Sequence, residues 1–192
     1  IFGKNCDNLM TANHVFFESG VPRAEKGVAM PDLSNKQKHS IFNLKDVRVD
    51  SSYKGRIKIG EDGRATEPKG HLDFAFVKLP KSSRGSNLVN DCGEFSQIRQ
   101  IRQSDFGSED KIPVKMVAFH ALEVGGKKKM KHIDCNLRKK ENKFSAYFDN
   151  DKIFYHDCDT NGMASGGIIY QEVDGVKYVL GIHLGGTLPV NY

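Results

Sequence analysis

Short runs in which apolar and polar residues alternate recur along the chain. They are SIFNLKDVRVD from Ser40, GRIKIG from Gly55, DFAFVKL from Asp73, PVKMVAFHAL from Pro113, FSAYF from Phe144, KIFYHD from Lys152, GGIIYQEV from Gly166 and KYVLGIHL from Lys177. Side chains of a strand point alternately to its two faces, so such runs, rich in β-branched and aromatic residues, predict half-buried strands. The segments between them, GEDGR, GGKKK, DND and VDGVK, carry the turn formers that end a strand. Only two short helices are expected, one after His14 and one near residues 95–102, and neither has a long amphipathic repeat. The predicted class is all-β.

Residues 81–110 are polar and rich in Ser, Gly, Asn and charge, and they lie between two strand-rich halves. That composition suits a connector between lobes. The predicted organisation is an N-terminal β-barrel over 1–84, a connector over 85–110 and a C-terminal β-barrel over 111–192. No internal repeat or low-complexity tract is evident.

Composition narrows the class. With 192 residues, 38% hydrophobic and 28% charged, the chain has the make-up of a folded globular protein rather than a disordered or fibrous one. No apolar run approaches the ~20 residues that cross a bilayer, and no charged-then-apolar leader opens the sequence. The formal charge of +5 is modest, and nucleic acid is not expected as a partner. The densest basic stretch, residues 127–131, follows Gly125 and Gly126 and reads as a solvated loop tip, with an acidic polymer as the alternative it would serve. Four cysteines, Cys6, Cys92, Cys135 and Cys158, lack the close pairing of metal or redox motifs, so no metal is expected. Cys135 and Cys158 fall in strand-like segments that an antiparallel sheet would place side by side. A disulfide there implies an oxidising compartment, and buried free thiols are the alternative.

Three segments carry candidate chemistry: Leu9-Met-Thr-Ala-Asn-His14, Leu72-Asp-Phe-Ala-Phe-Val-Lys-Leu79 and Asp159-Thr-Asn-Gly-Met-Ala-Ser-Gly-Gly167. A serine hydroxyl is a poor nucleophile at neutral pH. It needs an imidazole to take its proton and a buried carboxylate to fix the imidazole's tautomer. Taken singly, each residue has a plain structural alternative: His14 as a core or capping histidine, Asp73 as a strand-edge carboxylate, Ser165 as part of a turn.

Together, Thr11-Ala-Asn-His14, Asp73-Phe-Ala-Phe-Val-Lys-Leu79 and Ser165-Gly-Gly167 resemble, in order and in type, the catalytic motifs of the chymotrypsin family. The resemblance implies a double β-barrel and a serine endopeptidase without a cofactor, acting on a protein or peptide. Ser165 would be the nucleophile, His14 the general base and Asp73 its orienting acid. It also implies an oxyanion hole made by the backbone N–H groups of Met163 and Ser165, although the family has glycine where this chain has Met163. A rival alignment puts Ala164 at the nucleophile position and makes the chain an inactive binding protein. Ala164 also stands where trypsin-like zymogens carry the Asp that receives a new N-terminus, so Ile1 is not expected to act as a maturation signal. The short distance from Ile1 to His14 implies that the first strand or strands of the barrel are absent.

Gly181-Ile-His-Leu-Gly-Gly186 resembles the strand that walls the primary specificity pocket. His183 together with Thr160 resembles the arrangement of bacterial glutamyl endopeptidases and of picornaviral proteases of this fold, which implies cleavage after Glu or Gln. Gly185 and Gly186 would leave room for substrate backbone. Asp159 offers the opposing, trypsin-like reading for Lys or Arg, and a satisfied core histidine is the alternative for His183. The segment His156-Asp-Cys-Asp159 is similar to one in bacterial secreted peptidases, and a secreted or periplasmic location follows as an expectation. Oligomeric state is not legible.

Overall fold

The computed structural model describes residues 8–18, 21–29, 40–50, 72–79, 95–121, 128–139, 153–161, 163–187 and 190–191. Gly162, Cys6, Cys92, Lys127 and the predicted strands at 55–60 and 144–148 lie outside them. Among the described residues the chain is built from strands and single 3-10 turns. The all-β expectation is met, and the buried apolar residues form two separate cores.

The first core belongs to the N-terminal lobe. Strand β1 (Asn8–Thr11) pairs antiparallel with β7 (Ala75–Lys78), which also pairs with β6 (Arg48–Val49). Two hairpin-like pairs accompany them, β2 (Phe17–Glu18) with β3 (Val21–Pro22) and β4 (Lys26–Ala29) with β5 (Ser40–Asn43). The alternation read in DFAFVKL is realised in β7 and its flanks. Ala75, Val77 and Leu79 are buried with Phe42, Leu44 and Val47, while Phe74 and Phe76 point the other way.

The second lobe is one large sheet. Strand β9 (Lys111–Ala121) and β10 (Lys128–Arg138) form a long antiparallel pair. Beyond β10 lie β11 (Tyr155–His156), then β15 (Val190–Asn191) and β14 (Gly186–Thr187); beyond β9 lie β12 (Ile168–Val173), β13 (Val176–Ile182) and finally β8 (Phe95–Ile98). Residues 183–185 alone separate β13 from β14, so the sheet curls until these two consecutive strands lie on its opposite arms. Ile112, Val114, Met116 and Ala118 of β9 face the enclosed core with Leu137, Cys158 and Ile169. Truncating Met116, which is fully buried, would cost roughly 2–5 kcal/mol. The VDGVK segment makes the β12–β13 hairpin turn, with Asp174 and Gly175 both at positive φ, the geometry that matches strand twist.

Three expectations are corrected. The helix expected near residues 95–102 is instead the strand Phe95–Ile98, running parallel to β13; a four-residue segment takes its conformation from the sheet edge it meets. The basic stretch read as a loop tip belongs, from Lys128 onward, to β10. Inward-facing Ile133, Cys135 and Leu137 fix that strand's register, and the pairing carries on through its charged end to Lys128. The other predicted helix shrinks to one 3-10 turn, Asn13–Val15, with His14 inside it. Of the two alternatives left open for Cys135 and Cys158, the structure has the disulfide, which ties β10 to the segment after β11.

The lobes face each other across a cavity of about 330 Å³, bordered by Met10, Asp73, Phe74 and Phe76 on one side and by Phe154 and Leu180 on the other.

Candidate active site

His14 and Asp73 come from neighbouring strands. The chain leaves β1 into the 3-10 turn that carries His14, and Asp73 lies just before β7, the strand paired with β1. One Asp73 oxygen accepts the backbone N–H of His14 at 2.9 Å, and the other meets His14 Nδ1 at 2.6 Å. The Asn13 N–H donates to the Asp73 carbonyl at 3.3 Å, which fastens the turn to the strand end. Both side chains are buried, at 3% and 4% exposure. A carboxylate only accepts, so Nδ1 carries a proton, and in a neutral ring the lone pair is then on Nε2. Nε2 is buried with no hydrogen-bond partner among the described residues, Ser165 included.

Ser165 lies on the turn between residues 161 and 167, and the structure brings that turn against the His14 segment. A Cβ on Gly166 would stand 2.0 Å from Thr11 Oγ1 and 3.3 Å from the Ala12 nitrogen, and Gly166 has φ +81, so only glycine fits both the space and the conformation. Behind it, a Cβ on Gly167 would collide with Ala118 and Met116 of the second core. The two glycines of Ser165-Gly-Gly167 therefore let the turn pack against both lobes.

Within this turn the backbone donors divide into two sets. The N–H groups of Ala164, Gly166 and Gly167 donate to the carbonyls of Asn161, His183 and Ala164 at 3.1, 2.7 and 2.9 Å. Among the described residues those of Met163 and Ser165 have no such acceptor. Two unengaged donors at alternate positions are what a developing oxyanion requires. Met163 holds φ +88, a left-handed conformation that favours glycine and costs a residue with a Cβ of order 1–3 kcal/mol. The methionine thus holds a backbone conformation that suits glycine. Ala164 is buried in the second core at 1% exposure, whereas Ser165 is partly exposed, so Ser165 is the hydroxyl-bearing position a substrate can reach.

His183 sits directly after β13, clipped to the same turn: its N–H donates to the Gly167 carbonyl at 2.8 Å, and its carbonyl accepts the Gly166 N–H. Its buried ring contacts a second buried histidine, His156 of β11, through His156 Nε2 and His183 Nδ1 at 2.9 Å. Burial, the neighbouring His183 and, in opposition, Asp157 bring the His156 pKa down to about 3. Asp157 itself is clamped: burial pushes its carboxyl up, but the Asn136 backbone N–H at 2.6 Å and the Arg138 guanidinium at 2.9 Å outweigh that and hold it below the usual range. Thr160 and Gly185 are half-buried on the two segments flanking the turn, and Asp159 is exposed. Asp159's charge acts on a third buried histidine, His120 of β9, whose pKa is lowered by burial and by Lys131 and raised by Asp159.

Sequence reading missed His156 as a member of this site. The only local signal was its place in the segment His156-Asp-Cys-Asp159, because its partner is supplied by a strand distant in sequence.

No family model and no curated protein sequence matches the chain. Solved structures similar to it include the NS6 protease from murine norovirus 1, at 13% identity and a TM-score of 0.42, covering 98% of this chain and 80% of that one. An inactive form of murine norovirus NS6 protease, with a cysteine replaced by alanine and a C-terminal extension into NS7, gives 12% identity and a TM-score of 0.43 over 99% of this chain and 83% of that one. A likeness of that extent bears on no residue of this chain, and the functional reading rests on the side chains themselves.

Proposed function

We propose that this chain is a chymotrypsin-like serine endopeptidase. The observation that carries the reading is the buried His14–Asp73 pair, 2.6 Å apart, with His14 Nε2 unpartnered among the described residues and the Ser165 turn packed against its segment. Ser165 Oγ attacks the peptide carbonyl while its proton passes to His14 Nε2, and Asp73 stabilises the imidazolium that results. The carbonyl oxygen, now negative, takes hydrogen bonds from the Met163 and Ser165 N–H groups. Collapse expels the amine with the proton from His14 and leaves an acyl-enzyme, which water hydrolyses by the same route in reverse.

His183 and Thr160 are assigned to the primary specificity pocket, with Gly185 and Gly186 lining the path of substrate backbone. An imidazole and a hydroxyl offer donors to the end of a Glu or Gln side chain. Asp159 supports a Lys/Arg pocket less well, since it is exposed and its charge falls on His120. The Cys135–Cys158 bond supports a secreted or periplasmic setting.

Hydrolysis of a peptide library tests the reading. Cleavage after Glu or Gln, lost in both Ser165→Ala and His14→Ala, is expected. Cleavage that survives either substitution would refute it, and cleavage after Lys or Arg would transfer the pocket to Asp159.

A further inference from the structure

We propose that the cavity bordered by Asp73 is a binding site for an uncharged aromatic molecule of about two rings, separate from the substrate cleft and placed against the carboxylate that orients His14. None of His14, Ser165 and His183 borders it, so it does not belong to the path of the peptide. The inference goes beyond the proposed catalysis and does not depend on it.

The walls follow from the sequence. In DFAFVKL both faces of the strand are apolar. Ala75 and Val77 fill the first core, and Phe74 and Phe76 stand on the opposite face, where a strand turned to water carries polar residues. Their rings meet edge to face, with centroids 5.5 Å apart and planes at 72°. Across the cavity, Phe154 stacks on Phe106 with centroids 5.8 Å apart. Strand β13 supplies a further wall. Its pairing shifts between Ile169, opposite Gly181, and Tyr170, opposite Val179, so Leu180 is an extra residue; at this bulge three successive residues, Leu180, Gly181 and Ile182, border the cavity. A Cβ built on Gly181 would meet no heavy atom within 4 Å beyond its chain neighbours, so the strand is open here rather than packed.

The lining selects the chemistry of the occupant. Among the described residues Asp73 is its one charged side chain, and both carboxylate oxygens are engaged by His14, through the backbone N–H at 2.9 Å and Nδ1 at 2.6 Å. A ligand anion would be desolvated beside this carboxylate with no cation on the wall to compensate. A ligand cation would compete with His14 for oxygens that His14 already holds. An uncharged molecule meets neither cost. The rings of Phe74, Phe76 and Phe154 favour an aromatic occupant, because paired rings gain more than their apolar area alone. An apolar cavity of about 150 Å³ takes one benzene, so about 330 Å³ has room for about two rings.

Titration of the folded protein with prodan, an uncharged naphthalene dye whose emission moves to the blue in apolar surroundings, tests the site. Saturable binding of one dye per chain is expected, displaced by naphthalene and not by decanoate. Gly181→Leu, which puts a side chain into the open space, should weaken binding about tenfold or more, and Phe76→Ala, which removes one ring, about two- to tenfold. The second variant covers the case in which Gly181→Leu does not fold. Proton NMR locates the dye: the His14 Nδ1–H signal should shift with occupancy, since Asp73 borders the cavity. Absence of saturable binding, displacement by decanoate in preference to naphthalene, or an unmoved His14 signal overturns the inference. So does binding unmoved by Gly181→Leu or, if that variant does not fold, by Phe76→Ala. A protein that dimerises at the assay concentration and takes up dye only on dilution also overturns it, because a second copy then covers the cavity. If the protein cleaves no peptide, the peptidase reading fails, while dye binding still decides the site.

Discussion

The molecule holds two buried histidine pairs built on opposite principles. In the N-terminal lobe His14 leans on a carboxylate that accepts both its ring N–H and its backbone N–H. In the C-terminal lobe His183 leans on another imidazole, itself held by a backbone N–H. The same side chain, equally buried, is thereby given partners of opposite character. A carboxylate partner lets His14 take on a proton in the proposed reaction and be stabilised while it holds it. Behind His183 stands an imidazole whose Nδ1 faces a backbone N–H, and burial and the neighbouring ring bring the His156 pKa down to about 3. What a buried histidine does is set by the group behind its far nitrogen.

Replacing the carboxylate attacks that contrast most strongly. Asp73→Asn keeps the shape but presents an amide that no longer requires Nδ1–H, and kcat for peptide hydrolysis should fall by about 10⁴ with the fold intact. A loss under tenfold would mean that Asp73 does not set the tautomer.

Acidification probes the other pair. The folded pKa of His156 is about 3 against an ordinary 6.5, so between these values the unfolded chain binds a proton that the folded chain refuses. Stability therefore falls as pH drops below about 6.5, by at most ~1.4 kcal/mol per pH unit from this group, and above that value the contribution vanishes. Urea midpoints at pH 7 and pH 5 should show the loss, and His156→Gln should remove His156's share of it. An unchanged difference in the variant would show that other groups carry it.

The smallest expected effect lies at Met163, one of the two proposed oxyanion donors. Met163→Gly removes a side chain from a φ of +88 and should stabilise the protein by about 1 kcal/mol in denaturant titration, less the entropy glycine adds to the unfolded chain. A destabilisation larger than that would mean that the methionine side chain, not its backbone, holds the turn.

Legibility in the sequence followed the range of the interactions. The β9 alternation of Ile112, Val114, Met116 and Ala118, the Asp174-Gly175 turn and the strand carrying Ala75 and Val77 are local patterns, and each was readable. His14, Asp73 and Ser165 stood out because each sits in a short motif whose residue types the chemistry demands. Phe95–Ile98 was misread because four residues contain no period, and its partner β13 lies far along the chain. His156 was missed for a related reason, since it gains its partner His183 only where β11 and the end of β13 approach. The left-handed backbone at Met163 was foreseen only as a departure from an expected glycine.

The central claim, a working Ser165 base-activated by His14, is tested most directly by treating the folded protein with a fluorophosphonate and locating the adduct by peptide mass spectrometry. The account predicts a single adduct on Ser165 that disappears in His14→Ala. Folded wild-type protein left unlabelled, or labelled equally well without His14, would contradict it.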